Sequence, residues 1–445
     1  MSVNYIAELN KVIRSKGFLK YLKNTSWLMG GRITQMGVSF LVTARVGKYL
    51  GADGFGALGY SRSLGMLFLV FAGLGLQEIV VRNLIKDRAN ERKILGTALI
   101  LRFLGAVVAF ALYFVLSFFL PDDQVSIYLT YLVIASGVFQ ALDVFDYHFQ
   151  STVQAHYGVK SRSFSTFAFA FLQLFLVIVE ADLIWFGWAF FFRNALVGIG
   201  QVIWFMRYFD KPLDLKVDYK YGKEMLIDGW PLVFSGMVVM VYMKVDQIMI
   251  KQMMDNVSVG YYTSALRFSE IWFFLGPVLA SSLFPAIMNA KEKDEKLYLE
   301  RLQNFYNLNV LVALAISIPM ALFGPWFLEL PFLFGEKYAA AGPVLVIHIW
   351  SLVFVFLGAA SSKQMIAENL QKITLYRTLL GAVANVVLNF ILIPRMGIQG
   401  AAIATLISQA VASYLGYLLS RKTWGTFIMQ TKALTFYSLI EKLRK

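Results

Sequence analysis

The stretch ILGTALILRFLGAVVAFALYFVLSFFL, residues 94–120, contains a single charged residue, Arg102. About 20 apolar residues in a helix cross the roughly 30 Å of hydrocarbon in a bilayer, so this stretch is long enough to span a membrane. A composition of 58% apolar and 15% charged residues also lies outside the range of soluble proteins. Eleven further stretches of this kind flank it, at approximately 24–46, 55–79, 125–149, 161–180, 183–206, 226–250, 259–286, 302–327, 339–361, 373–393 and 398–420.

The distribution of basic residues predicts the orientation of these twelve spans. With the N-terminus inside, and with basic residues within five positions of a span end counted in the adjoining connection, the cytosolic connections and both tails hold 30 of the 41 Lys and Arg residues, whereas the outer connections hold five. The positive-inside rule therefore predicts that both termini lie in the cytosol. The net charge of +14 is explained in this way without a nucleic-acid partner.

The longest polar stretch at mid-chain divides the twelve spans into two sets of six. We predict an interfacial segment at 1–23, a first lobe at 24–206, a cytosolic linker at 207–225, a second lobe at 226–420 and a basic cytosolic tail at 421–445. The sequence GFGALGYSR at 54–62 echoes VGYYTSALR at 259–267, which favours a repeat with a cavity between the lobes. The expected fold is thus an all-α integral membrane protein with two six-helix lobes around a central cavity.

Basic side chains inside the spans are the main functional signal. A charge at membrane depth costs at least ~2.5–3.5 kcal/mol, so several of one sign imply a wet cavity that needs them. Such a cavity indicates an anionic ligand, for which the guanidinium fork of arginine is well suited. For each arginine alone, extension of the side chain to the membrane surface is an alternative. We assign substrate binding to Arg32, Arg62, Lys244, Arg267 and, as a second-rank candidate, Arg193.

Acidic side chains at membrane depth are candidates for coupling or gating. Asp246 is a candidate carrier of a proton or sodium ion, and Glu270 lies on the same helical face as Arg267, which it could neutralise. Asp143 belongs to a polar stripe with Asp146 beside it, and Arg102, at a similar depth, is its expected partner.

The chain provides no pattern for a metal or catalytic site. It has no cysteine, which excludes disulfides and thiolate ligands, and its three histidines are too scattered for a zinc site. No nucleophile with a neighbouring base is apparent, so we predict no cofactor beyond a coupling ion.

Short motifs in a fixed order resemble the oligosaccharide flippases of polysaccharide biosynthesis, the O-antigen translocase type. The resemblance covers about residues 20–420, and this superfamily also contains multidrug exporters and lipid II flippases. Its motifs are NTSWL at 24–28, ARVGKYLG at 44–51 with FG at 55–56, VVRNL at 80–84, ILGTA at 94–98, DQIMI at 246–250, VGY at 259–261, NVVLNF at 385–390 and GAAIAT at 400–405.

The resemblance implies the fold of multidrug and toxic-compound exporters and a specific cargo. The cargo would be a polyprenyl-pyrophosphate-linked oligosaccharide, with the diphosphate in the basic cavity and the polyprenyl tail in membrane lipid. A monomer would suffice, and a polysaccharide polymerase and glycosyltransferases would be functional neighbours. The family does not fix whether the glycan becomes O-antigen, capsule or exopolysaccharide.

Two other functions stay open at this point. An ion-coupled antiporter of drugs or small cations with the same fold predicts an anionic cavity, whereas the spans hold six basic residues against five acidic ones. A membrane polysaccharide polymerase or ligase, which is an enzyme, needs a long outer loop or domain for its chemistry. The predicted outer connections are only about 2 to 12 residues long.

Overall fold

The computed structural model describes residues 16–209, 214–291 and 294–437, with side chains for residues 35–207, 214–291 and 294–437. Within these ranges the chain is helical, with short connections and short 3₁₀ turns. In chain order the helices are α1 (Lys16–Gly73), α2 (Leu76–Lys86), α3 (Glu91–Ser117), α4 (Gln124–Ala135), α5 (Gly137–Gln140), α6 (Val144–Ser151), α7 (His156–Ile178), α8 (Leu183–Phe209), α9 (Tyr219–Met253), α10 (Asn256–Glu270), α11 (Leu275–Lys291), α12 (Glu295–Glu329), α13 (Gly342–His348), α14 (Ser351–Ala367), α15 (Gln371–Ser413) and α16 (Trp424–Leu434).

Helices are the expected structure because a backbone inside lipid must satisfy its own hydrogen bonds. Aspartate side chains start four of them by accepting bonds from backbone N–H groups of the first turn. Asp123 caps α4, Asp218 caps α9, Asp255 caps α10 and Asp294 caps α12. Each of these aspartates lies in a connection between predicted spans, so the polar connections themselves define where the apolar helices begin.

Nine helices of the described residues are long and apolar enough to cross a membrane, or ten when the bent pair 336–348 and 351–367 counts as one span. The helices α1 and α15 each contain a non-helical glycine, Gly51 (φ 68°) and Gly397 (φ 60°), that divides them into two apolar arms. This is consistent with the twelve predicted spans. The exact count of twelve and the division into two lobes stay predictions.

Several predicted span boundaries differ from the observed helices. The second span was expected to continue to residue 79, but α1 ends at Gly73, where Leu74 and Gly75 adopt positive φ, and α2 begins at Leu76. Part of the predicted basic tail forms α16, which packs against α12. Residues 1–15 of the predicted interfacial segment, 210–213 of the linker and 438–445 of the tail lie outside the described residues.

The helix α1 packs against helices of both halves of the chain, where the first half means α1 to α8 and the second half means α9 to α16. It packs against α3, α4 and α7 in the first half and against α9 and α10 in the second. A large buried apolar cluster accordingly combines Tyr60 and Leu64 of α1 with Tyr262 and Phe268 of α10. The end of the bundle that contains the bend at Gly51 is the predicted outer end, and this term is used below.

Candidate functional site

Arg62 has two other arginines within electrostatic range, one from each half of the chain. Arg62 lies on the second arm of α1, Arg193 on α8 and Arg267 on α10. Arg62 is within electrostatic range of both others. We call these residues the arginine cluster. Arg193, which the sequence ranked second, thus accompanies Arg62, although nothing in the sequence spacing links the two.

Aromatic rings, not carboxylates, contact two of the three arginines in the cluster. The guanidinium carbon of Arg62 lies 4.9 Å from the ring centre of Phe190, and that of Arg193 lies 5.5 Å from the ring centre of Phe169. Such cation–π contacts contribute about 0.5–2 kcal/mol. They hold the side chains in position without neutralising their charge.

Among the described residues, the arginine cluster has no ion-pair partner and no side-chain hydrogen bond. The Nε atoms of Arg193 and Arg267 are buried without a partner, and Glu270 is within electrostatic range of Arg267 only at longer distance. Burial of an uncompensated cation is costly, so this arrangement is stable only with water or an anion nearby. The cluster is therefore a candidate anion site.

A small cavity in the first half borders Arg62. It measures ≈ 20 Å³ and is lined by α1, α4, α7 and α8, with Ser61 and Gln173 as its other polar residues. This volume is sufficient for about one water molecule. Arg62 is therefore accessible to water on the side of α7 and α8.

Lys244 differs from the arginine cluster because it has an acidic neighbour. Its Nζ lies 3.8 Å from Oε1 of Glu270, and the two side chains are 20% and 26% exposed. The sequence suggested that Glu270 could neutralise Arg267, but its ion pair in the structure is with Lys244. Lys244 is therefore largely compensated, and its assignment to substrate binding stays a prediction.

Asp246 lies in a polar network buried between α9, α10 and α15. The Tyr262 hydroxyl donates to Asp246 Oδ2 at 2.5 Å, and Thr405 Oγ1 lies 3.4 Å from the same oxygen. Asn385 Nδ2 donates to Thr405 Oγ1 at 3.4 Å, and Asn389 Nδ2 donates to Asn385 Oδ1 at 3.0 Å. Asp246 is 3% exposed. A buried carboxylate among neutral oxygens provides a place for a proton or a small cation.

The sequence singled out Asp246 but gave no role to its partners. Asn385, Asn389 and Thr405 lie in motifs that carried the family resemblance, which was the available signal for them. Asp246 and Lys244 lie two residues apart on α9. Each has its own partner on α10, Tyr262 for Asp246 and Glu270 for Lys244.

The two candidate aspartates of the first half, Asp143 and Asp146, are each paired with an arginine. Arg102 Nη2 lies 3.4 Å from Asp143 Oδ2, which confirms the pairing expected from their depths. Asp146 pairs with Arg162 at 2.9 Å, a partner that the sequence analysis assigned to a cytosolic connection and therefore missed. Gating or coupling roles for Arg102, Asp143 and Asp146 stay predictions.

Two further arginines lie outside the cluster or outside the described side chains. Arg32 belongs to the helix α1, but its side chain is not among those that the structure describes. Arg377 was assigned to a connection, yet it is 4% exposed and donates to Ala412 O at 2.6 Å and Ser362 Oγ at 2.7 Å. These acceptors tie the first arm of α15 to its own C-terminal end and to α14, which is a structural role.

Comparisons with known proteins agree with this architecture. Residues 21–291 match the family model "Polysaccharide biosynthesis protein", and residues 202–443 match the model "Lipid II flippase MurJ". A relative from Haloferax volcanii, described as "Probable low-salt glycan biosynthesis flippase Agl15", is 27% identical over 41% of this chain and 39% of its own length. The aligned stretches span about two-fifths to one-half of the curated relatives that match.

Solved structures show the same fold at low identity. An inward-facing multidrug resistance MATE family transporter of the MOP superfamily has a TM-score of 0.71 at 16% identity and covers 89% of this chain and 95% of its own. The lipid II flippase MurJ in an inward closed conformation has a TM-score of 0.70 at 15% identity and covers 93% and 92%. Because each family model matches more than half of the chain, the protein belongs to the polysaccharide biosynthesis protein family and is related in sequence to the lipid II flippases.

Proposed function

We propose that this protein moves a polyprenyl-pyrophosphate-linked oligosaccharide from the cytosolic to the outer leaflet of a prokaryotic cytoplasmic membrane, for cell-surface polysaccharide synthesis. The observation that carries the proposal is the arginine cluster, three cations at membrane depth with no carboxylate partner among the described residues. A diphosphate supplies the missing negative charge and accepts bidentate hydrogen bonds from guanidinium groups. Its polyprenyl tail has no need to leave the lipid.

The position of the cluster supports an alternating-access mechanism. Arg62 and Arg193 belong to the first half and Arg267 to the second, so a diphosphate among them is held by both halves. Rocking of the two lobes about this point would expose the headgroup first to the cytosol and then to the outer side. Both termini are proposed to be cytosolic, and one copy of the chain is sufficient for the cycle.

The proposal predicts selectivity for the diphosphate. In vesicles containing the purified protein, we expect the diphosphate-linked glycan to move at least about 10-fold faster than the same glycan on a monophosphate or neutral lipid, because each charge-assisted bond contributes ~1.5–3 kcal/mol. Accessibility of a fluorescent glycan to an added lectin or quencher measures the movement, and protein-free vesicles are the control. Equal movement of the neutral lipid would contradict the proposal, as would preference for a cationic drug.

We further propose that Asp246 couples movement to a proton or sodium gradient. We expect wild-type flipping to respond to one of these gradients, and Asp246→Asn to abolish the response while slow downhill movement continues, because asparagine keeps the shape of aspartate without its charge. Asp53→Asn, which changes an exposed aspartate on α1, is the comparison. Wild-type flipping that is indifferent to pH and sodium gradients would eliminate the coupling proposal.

A further inference from the structure

The short connection between α3 and α4 contacts the second half of the chain at the predicted outer end. Asp122 Oδ2 accepts a hydrogen bond from the Tyr60 hydroxyl at 2.6 Å, and its Oδ1 accepts one from Gln252 Nε2 at 3.0 Å. Gln252 Nε2 also donates to the Tyr60 hydroxyl at 2.9 Å. Gln252 is close to the end of α9, so this triangle joins α1, the connection and α9.

The neighbouring aspartate makes a second set of contacts across the same boundary. Asp123 Oδ2 lies 3.1 Å from Lys251 Nζ and 3.4 Å from Asn256 Nδ2. The same side chain caps α4 by accepting from Ser126 N at 2.8 Å. Burial opposes ionisation of Asp123, but the bonds from Ser126 and Lys251 outweigh it and lower its pKa to about 2. Asp123 is therefore charged at any physiological pH.

These six residues form what we call the acidic latch: Asp122, Asp123, Tyr60, Lys251, Gln252 and Asn256. Further contacts reinforce the same end, because Lys48 Nζ donates to Pro331 O at 2.7 Å and the Tyr338 hydroxyl donates to Gly47 O at 2.7 Å. The first half is thus held to the second at several points on the predicted outer side.

The contacts at the opposite end of the bundle include one exposed ion pair. There Arg82 on α2 pairs with Asp228 on α9 at 2.5 Å, but the two side chains are 47% and 43% exposed. Water screens an exposed pair of this kind, so it contributes little. Lys251 in the latch is only 14% exposed. The latch pair is therefore less exposed to water than this pair on its basic side, and at the opposite end the Tyr221 hydroxyl of α9 also donates to Asp87.

Most bonds of the latch can be exchanged for water. Their acceptors are the carboxylates of Asp122 and Asp123, and the Asp123 side chain is 42% exposed, whereas the bond from Gln252 to the buried Tyr60 hydroxyl is the exception. Separation of the two halves would hydrate these groups instead of leaving them unsatisfied in lipid. A polar contact surface between the two halves is therefore better suited to repeated opening than an apolar one.

We propose that the acidic latch is the releasable outer gate of the protein and sets the fraction of time for which the cavity is open on the outer side. The proposal needs alternating access but not the identity of the cargo. The gate can therefore be disproved without disproving the proposed cargo, and the cargo can be disproved without disproving the gate.

The absence of cysteine from the sequence allows a direct test with a single reporter thiol. Ser63 lies deeper than Tyr60 on α1, is 3% exposed and donates to Gln247 Oε1 on α9 at 2.7 Å. In Ser63→Cys, the thiol is reached from the outer side only when the two halves separate there. The rate of modification by a membrane-impermeant maleimide added to intact cells, without added cargo, measures this opening.

We expect Lys251→Ala and Asp122→Asn, each in the Ser63→Cys background, to raise the modification rate at least about 5-fold. Lys251→Arg should keep the low rate because it keeps the charge. Lys337→Ala, which removes an exposed lysine in a predicted outer connection, should also leave it unchanged. Unfolding temperatures in detergent are measured in parallel, and a rise in rate counts only for variants that unfold within a few degrees of the parent.

Modification at the parental rate in both Lys251→Ala and Asp122→Asn would overturn the proposal. It would also be overturned if Lys337→Ala raised the rate equally, since the effect would then be general loosening. A reporter that is modified only from the cytosolic side in every variant would show that the latch lies at the other surface, which contradicts an outer gate.

Discussion

Replacing Arg62 and Arg267 together with alanine is expected to abolish glycan translocation while leaving the amount of protein in the membrane nearly unchanged. Each arginine offers charge-assisted hydrogen bonds to a diphosphate, worth ~1.5–3 kcal/mol apiece, so the double change should slow transport by roughly 10²- to 10⁴-fold. Neither residue has a carboxylate partner among the described residues, so the substitution leaves no buried acid uncompensated. Loss of the contact with Phe190 is the main expected cost to stability.

Complementation of a flippase-null strain provides the measurement. Surface glycan is quantified against the amount of protein in the membrane, and Arg395→Ala, which removes an exposed arginine, is the matched control. Arg62→Lys should retain part of the activity, because lysine keeps the charge but loses the bidentate fork. Full surface glycan from the Arg62→Ala/Arg267→Ala variant at equal abundance would disprove the role of the cluster.

Lys244 gives a separate check on the same site. Because Lys244 is paired with Glu270, Lys244→Ala leaves a carboxylate near Arg267, where it would compete with the diphosphate. The loss of transport in Lys244→Ala should then be reduced by the additional change Glu270→Gln. If Lys244 contacts the cargo directly, as the sequence analysis assigned, Glu270→Gln will bring no recovery.

The sequence predicted the membrane class, the apolar stretches and the pairing of Arg102 with Asp143, because each depends on local composition or on depth along a helix. It could not predict that Arg193 on α8 accompanies Arg62 on α1, since that proximity arises from packing of residues far apart in the chain. The environment of Asp246 could not be predicted either, because its partners Tyr262 and Thr405 belong to two other helices.

The connections between helices were predicted less well than the helices. Residues near Gly51 and Gly397 were expected to form loops, but one glycine with positive φ is sufficient to break each helix. Asp122 and Asp123 lie in the predicted connection between the spans 94–120 and 125–149, to which no role was assigned. Their bonds to Tyr60 and Lys251 depend on how the two halves meet, which no local pattern encodes.

The crossing of α1 and α10 predicts a second large effect. A methyl group on Gly56 would lie 1.7 Å from the carbonyl oxygen of Asn256, and one on Gly260 would lie 2.0 Å from the carbonyl oxygen of Ala52. Both obstacles are backbone atoms, which cannot rotate away as a side chain can. Alanine at either glycine must therefore push the helices apart, by about 1 Å or more, because close-packed interiors do not absorb such an overlap.

We expect Gly56→Ala and Gly260→Ala each to destabilise the protein by about 1–3 kcal/mol, the usual cost of overpacking, and to reduce surface glycan strongly in complementation. Gly37→Ala is the matched control, since it lies on the same helix with no atom within 4 Å of the added methyl. In that position alanine should be neutral or stabilising by ~0.5–1 kcal/mol.

The double variant distinguishes a shared crossing from two independent defects. If Gly56 and Gly260 maintain the same approach of α1 and α10, one substitution already separates the helices and the second adds less than its own single effect. Unfolding temperatures in detergent of the two single variants, the double variant and Gly37→Ala measure this coupling. Strictly additive losses would show that the two glycines act separately. Full stability of either single variant would show that the helices do not cross at these glycines.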